Sequence, residues 1–251
     1  MKKTLFVLAC LLAISSFASA YTWDSGTGMY NSGNQIQGLT VTYDNVASDT
    51  GLYGEMLISG DNMWFFPTAF QLESTNLESG PELLDETLQF QLESKPGGGA
   101  GADRFIDSIQ FIEYGDYTLT DNLTEDGSAI ASVTAGLTVQ ILERNRASVF
   151  EFPIQDSLTF TPTAGSYSLA AGDTTALWQG ALNLALPYDD ITMVQVSLDN
   201  TLTVTSETGT ISRIEKKGIG EAPAVVISPV IPEPATLALL GLGGLLLRRR
   251  K

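Results

Sequence analysis

The chain of 251 residues has no histidine and a single cysteine, Cys10. Without histidine, Ser-His-Asp and Cys-His catalysis and the ordinary zinc sites are excluded together. Cys10 falls in an N-terminal leader, so the rest of the chain has no disulfide, thiol nucleophile or thiolate metal site. Carboxylate, hydroxyl or calcium chemistry is what remains. Basic side chains are also scarce, 13 against 29 acidic ones, for a formal net charge of −16. Six of those 13 sit at the two ends, so residues 21–231 carry only 7 basic against 28 acidic residues. Such a surface repels nucleic acid and anionic lipid, and no nucleic-acid partner is expected. It leaves divalent cations as plausible partners. A third absence is helical periodicity: no stretch between Tyr21 and Ile231 carries an amphipathic helix.

The first twenty residues have the form of an export signal. Lys2 and Lys3 precede an apolar run from Leu5 to Ile14, and Ala18-Ser19-Ala20 is a small-residue cleavage site. Cleavage by a signal peptidase is expected between Ala20 and Tyr21.

The other end carries three features in order: Pro232-Glu233-Pro234, an apolar run from Ala235 to Leu247, and Arg248-Arg249-Arg250-Lys251. As a helix, the run would span roughly 20 Å of a hydrocarbon core about 30 Å thick. That is short for a permanent anchor. The basic cluster should stay on the cytoplasmic side and leave the rest of the chain outside. The two prolines keep the motif extended and open to a peptidase. This three-part tail resembles the PEP-CTERM sorting signal of Gram-negative bacteria. The resemblance implies recognition of the Pro-Glu-Pro peptide by an exosortase, a membrane-embedded cysteine peptidase. It also implies a body that passes through the periplasm, held briefly at the inner membrane, to the cell surface or the extracellular matrix.

Between the ends the period is 2. Leu39, Val41 and Tyr43 alternate with threonines; Leu88, Phe90 and Leu92 alternate with polar residues; Val133 to Ile141 forms the longest stripe. Further stripes run through Trp178 to Leu186, Val194 to Leu198, Leu202 to Val204, and Ile211 to Ile214. Turn residues separate them, as in Ser59-Gly60-Asp61-Asn62 and Glu125-Asp126-Gly127. The pattern predicts an all-β fold, an antiparallel β-sandwich of the jelly-roll kind, in one domain over 21–221. Residues 222–231, with Pro223 and Pro229, read as an extended spacer before the sorting signal at 232–251. The segment Phe70 to Ser74 recurs as Phe90 to Ser94, which suggests neighbouring strands with similar faces.

No catalytic residue set is expected. Two carboxylates among outward positions such as Glu73, Glu93, Glu113 and Glu143 would serve a glycosidase, and solvated strand faces explain them more simply. Asp121, Asn122 and Asp126 could converge on a calcium ion, with Asp189-Asp190 as a second such place. Otherwise no cofactor is expected. Trp23, Trp64 and Trp178 with Tyr21, Tyr30, Tyr43 and Tyr53 form the pool of rings that could stack on sugars. The leading expectation is an exported, non-catalytic surface or matrix protein with a structural or interaction role. A carbohydrate-binding module for exopolysaccharide, aided by calcium, is the first alternative and a two-carboxylate glycoside hydrolase the second.

Overall fold

Period-2 stripes place apolar side chains on one face of each strand, and two such faces must cover each other to leave water. A computed structural model of the chain describes residues 19–30, 34–75, 80–97, 104–121 and 127–232. These hold seventeen strands and two short 3-10 turns, with no α-helix among the described residues.

In chain order the first six strands are Ser19–Tyr21 (β1), Ile36–Gln37 (β2), Val41–Ser48 (β3), Glu55–Ser59 (β4), Asn62–Phe66 (β5) and Gln71–Thr75 (β6). Three long ones follow, Glu82–Ser94 (β7), Ser108–Asp121 (β8) and Ala129–Arg144 (β9). Short strands come next: Ala147–Ser148 (β10), Ile154–Ser157 (β11), Thr159–Thr161 (β12) and Ser166–Ser168 (β13). The last four are Thr175–Ala185 (β14), Ile191–Ser206 (β15), Thr210–Lys216 (β16) and Val225–Val230 (β17).

One sheet has nine strands in the path β1-β4-β5-β17-β8-β14-β12, with β16 paired to β8 and to β6. The other has eight in the path β10-β9-β15-β7-β3-β2, with β11 and β13 also on β9. Every pairing between strands is antiparallel. The inward faces meet in one core that includes Phe65, Phe90, Phe111, Trp178, Val196 and Leu198, all buried. Burial of each such side chain contributes about 1.5–3 kcal/mol. The fold is the all-β antiparallel sandwich that the alternation predicts.

Several local expectations change. The supposed spacer holds β17, whose Val225, Val226 and Ile227 pair with β5 on one side and β8 on the other. Val225 and Ile227 are fully buried, so their apolar surface belongs to the core. Pro229 lies beyond the stretch where β5 pairs, and there β17 is an edge strand, the setting that tolerates proline. Lys216 ends β16 with its side chain wholly buried. The two copies of Phe-Gln-Leu-Glu-Ser do not pair, since β6 belongs to the first sheet and β7 to the second. The separate stripes Val194–Leu198 and Leu202–Val204 are one strand, β15, that runs through a buried Asn200. Leu39, read as a strand residue, stands 75% exposed in the turn before β3.

β16 and β17 lie end to end along the same edge of β8. Lys216 is opposite Gly115 and Val225 is opposite Glu113. Tyr114 joins the two ends: its carbonyl accepts from Lys217 N–H at 3.1 Å, and its own N–H donates to Ala224 O at 2.8 Å.

Candidate functional site

The structure divides the carboxylates that the sequence grouped: Glu93 and Glu143 flank Met193 from the two strands beside β15, while Glu73 and Glu113 belong to the other sheet. Glu93 receives Arg146 Nη1 at 2.9 Å, and Glu73 is exposed on β6 opposite Arg213. Glu143 is half-buried near the end of β9. Glu113 does not face outward, because it occupies the inward phase of β8 and is buried. Asp190 is engaged: its carboxylate takes Arg144 Nε at 2.6 Å and Nη2 at 3.1 Å, and Asn145 Nδ2 at 3.0 Å. Asp121 closes β8 opposite Thr210, while Asn122 and Asp126 lie outside the described residues. Among the described residues no three acids gather as a metal site would require.

Most rings read as sugar platforms are core. Tyr30, Tyr43, Tyr53 and Trp178 are buried, and Tyr21 and Trp23 pack against the same cluster half-buried. Trp64, on β5, is also half-buried. The open aromatic surface is elsewhere, at Phe150 and Phe152, which are 91% and 86% exposed. Their ring centroids are 6.5 Å apart in an edge-to-face arrangement. Pro153 and the short β10 before them take this segment off the alternating pattern, so no period marks the pair in the sequence. A shallow depression of about 430 Å³ on the second sheet is lined by polar residues that include Thr138, Gln155, Asp156 and Asp199.

The sequence also gave no warning of a polar cluster inside the sandwich. Lys216 Nζ donates to Glu113 Oε2 at 2.5 Å and to Asn200 Oδ1 at 2.6 Å. Asn200 Nδ2 donates to the Tyr53 hydroxyl at 2.8 Å. The Lys216 and Glu113 side chains have 0% exposure. Phe70 and Trp178 each place a ring centroid 5.2 Å from Nζ. Burial pushes the Lys216 ammonium below the usual lysine range, and the charge and hydrogen bond of Glu113 oppose that shift. Tyr53 stays a phenol, since burial raises its ionisation well above the ordinary value.

At the C-terminal end, Asp107 N–H donates to Val230 O at 2.9 Å and fixes the last residue of β17. Ile231 packs against the core, and Pro232 is exposed. Residues 230–251 match the PEP-CTERM protein-sorting motif. The PEP-CTERM segment thus starts on the last residue of a sheet strand, with one residue between β17 and Pro232. Such a motif marks an exported protein held at the membrane until an exosortase, itself a membrane protein, processes it. Glu233, Pro234, Arg248, Arg249, Arg250 and Lys251 lie outside the described residues, as does Ala18. Ala20 and Tyr21 are in β1, opposite Leu57 and Met56.

No curated protein matches the chain. Among solved structures it is similar, at 11% identity, to the enzymatically active domain of bacteriophage CBA120 tailspike protein 4. That match covers 86% of this chain and 20% of the tailspike domain with a TM-score of 0.20, so the chain spans about a fifth of that protein's length. A carbohydrate-binding module, TmCBM61, solved with β-1,4-galactotriose, is 8% identical over 83% of this chain and 99% of its own, at a TM-score of 0.24. These likenesses add nothing to what the two antiparallel sheets already show of the fold.

Proposed function

We propose that this is a non-catalytic surface or matrix-associated protein, whose β-sandwich is delivered outside the cell and freed by an exosortase-type peptidase cutting at Pro232-Glu233-Pro234. The observation that carries the reading is the PEP-CTERM motif joined directly to a complete sandwich. Signal peptidase would cut between Ala20 and Tyr21 and leave Tyr21 as the one β1 residue, against Met56. The body would pass through the periplasm to the cell surface.

The test is the mass of the mature protein from a host that has the peptidase. Loss of Ala235 to Lys251, with or without part of the motif, is expected for the wild type. Pro232→Ala, Glu233→Ala and Pro234→Ala should each slow that loss and hold the body at the inner membrane. A wild-type chain intact at its C-terminus would overturn the reading.

One observation favours carbohydrate binding as the second reading. Phe150 and Phe152 present two nearly bare rings side by side, an arrangement suited to stacking on sugar faces. Retention on exopolysaccharide, lost in the Phe150→Ala Phe152→Ala variant, would support it; equal retention by both proteins would end it.

A further inference from the structure

Three inward stripes break at one place. On β8 the stripe Ile109, Phe111, Tyr117, Leu119 is broken by Glu113; on β15 Asn200 stands between Leu198 and Leu202; β16 ends its inward face on Lys216. All three residues are buried, and they come from both sheets. The cluster is incomplete as an ion pair, since Glu113 Oε1 has no hydrogen-bond partner. A charged pair in such a place is taken out of water at a cost that attraction offsets only when every lone pair and proton is satisfied. Transfer of one proton from Nζ to the carboxylate removes both charges. What it leaves is a neutral amine, a competent nucleophile, hydrogen-bonded to a carboxamide oxygen at 2.6 Å.

We propose that Lys216 and Asn200 join in a side-chain amide bond that links the two sheets, with Glu113 carrying the protons. Nζ attacks Asn200 Cγ, one bond beyond the oxygen it already contacts. The Nζ–Cγ bond forms and the Cγ–Nδ2 bond breaks. Glu113, protonated in the neutral pair and touching Nζ through Oε2, gives its proton to Nδ2, which leaves as ammonia, and takes one in return from the attacking nitrogen. Nothing is oxidised or reduced, no co-reactant is consumed, and the carboxyl group ends as protonated as it was in the neutral pair.

The surroundings fit that chemistry. The rings of Phe70 and Trp178 flank Nζ and exclude water, which would otherwise keep the amine charged. The Tyr53 hydroxyl, 2.8 Å from Nδ2, holds the carboxamide in a fixed orientation. Gly180 leaves space for Phe160 and for the acid, as a Cβ there would lie 2.5 Å from Phe160 Cε1 and 3.0 Å from Glu113 Cγ. Here Glu113 is the catalytic residue, while Tyr53 is a positioning residue.

The test is a denaturing mass measurement and a tryptic map of the full chain purified in detergent. The intact mass should be lower by one ammonia in essentially every molecule. Trypsin cuts after Arg146, Arg213 and Lys217 but not after an acylated Lys216. The map should therefore contain residues 147–213 joined to residues 214–217. Glu113→Gln, which keeps the shape and cannot carry the proton, and Lys216→Arg should run at full mass and release the two peptides separately. A wild-type protein at full mass overturns the proposal, and that result needs no variant to fold. Ammonia loss with free cleavage after Lys216 also overturns it, because the ammonia would then have left an asparagine by closure of a cyclic imide and not by cross-linking. A folded Glu113→Gln chain that still gives the joined peptide overturns the role assigned to Glu113.

Discussion

Gly115 lies directly beneath the indole of Trp178: a Cβ built on it would stand 2.3 Å from Trp178 Cζ2 and 2.0 Å from the carbonyl oxygen of Glu215. The second of these neighbours is backbone of β16 and cannot swing away. Gly115→Ala should therefore push β16 from β8 or tilt the indole, at a cost of about 1–3 kcal/mol or more. The urea midpoint measures it. Gly136→Ala is the control, since a Cβ there meets nothing within 4 Å, and it should shift stability by less than about 0.5 kcal/mol. Equal effects of the two would show that the indole does not sit where described.

A second buried acid closes the loop after β3. Glu86 accepts the hydroxyls of Ser48 and Thr50, the Thr50 N–H at 2.9 Å and the Gly51 N–H at 3.1 Å. Glu86→Ala removes the acceptor from the Ser48 and Thr50 hydroxyls and the Thr50 N–H, while Gly51 N–H keeps Ser48 Oγ at 3.1 Å; hydrogen bonds to a charged group are worth about 1.5–3 kcal/mol each. Denaturant unfolding should show a loss of at least about 3 kcal/mol. A loss below 1 kcal/mol on the same scale would mean that water replaces the carboxylate without strain.

Acid should act through Glu215. Burial raises its proton affinity, but hydrogen bonds from Lys217 and Arg213 outweigh that and leave its ionisation below the ordinary 4.5. A carboxyl group depressed in the folded state contributes stability above its unfolded value and loses it as pH falls through the folded one. Glu215→Gln should thus lower the melting temperature at neutral pH, with the gap to the wild type closing below pH 4.5. Both cations are more than a third exposed, so the neutral-pH effect should stay within about 1 kcal/mol. A gap that does not narrow in acid would assign the loss to packing.

The boundary of the folded body is open to a simple comparison. A chain that stops after Ile231 keeps β17 and should melt cooperatively with a strand-dominated dichroism spectrum. One that stops after Glu221 leaves β5 and β8 with facing open edges and exposes Phe65 and Phe111. It should bind a hydrophobic dye and lose the cooperative transition. Indistinguishable melts would return residues 222–231 to the role of a tether.

Alternation was enough to locate the long strands because each has one wet and one dry face, and a period of 2 survives any tertiary arrangement that keeps that contrast. It could not say which strands share a sheet, so Phe70–Ser74 and Phe90–Ser94 looked like neighbours. It also failed where the dry face carries a polar group. Asn200 split one strand into two stripes, and Glu113 read as an outward residue, although each falls on the inward count of its own strand. β17 was hidden by two prolines and by its neighbour in sequence, the sorting motif. Phe150 and Phe152 follow a tight turn with positive φ at Asn145 and Arg146, where no stripe extends to them.

The place of β17 also sets an order of events. The slot between β5 and β8 is filled only by residues 225–230, which are the last of the body to cross when export runs from the N-terminus. Until they emerge, the sandwich waits with its first sheet divided. Closure of that sheet then draws Pro232 up to the rim of the finished body, within about 7 Å of the last paired residue. Tertiary completion and the placing of Pro232 at the rim are in this way a single step. A body that has not closed leaves residues 225–230 without their partner strands, whereas a closed one holds the chain in the sheet up to Val230, two residues before Pro232.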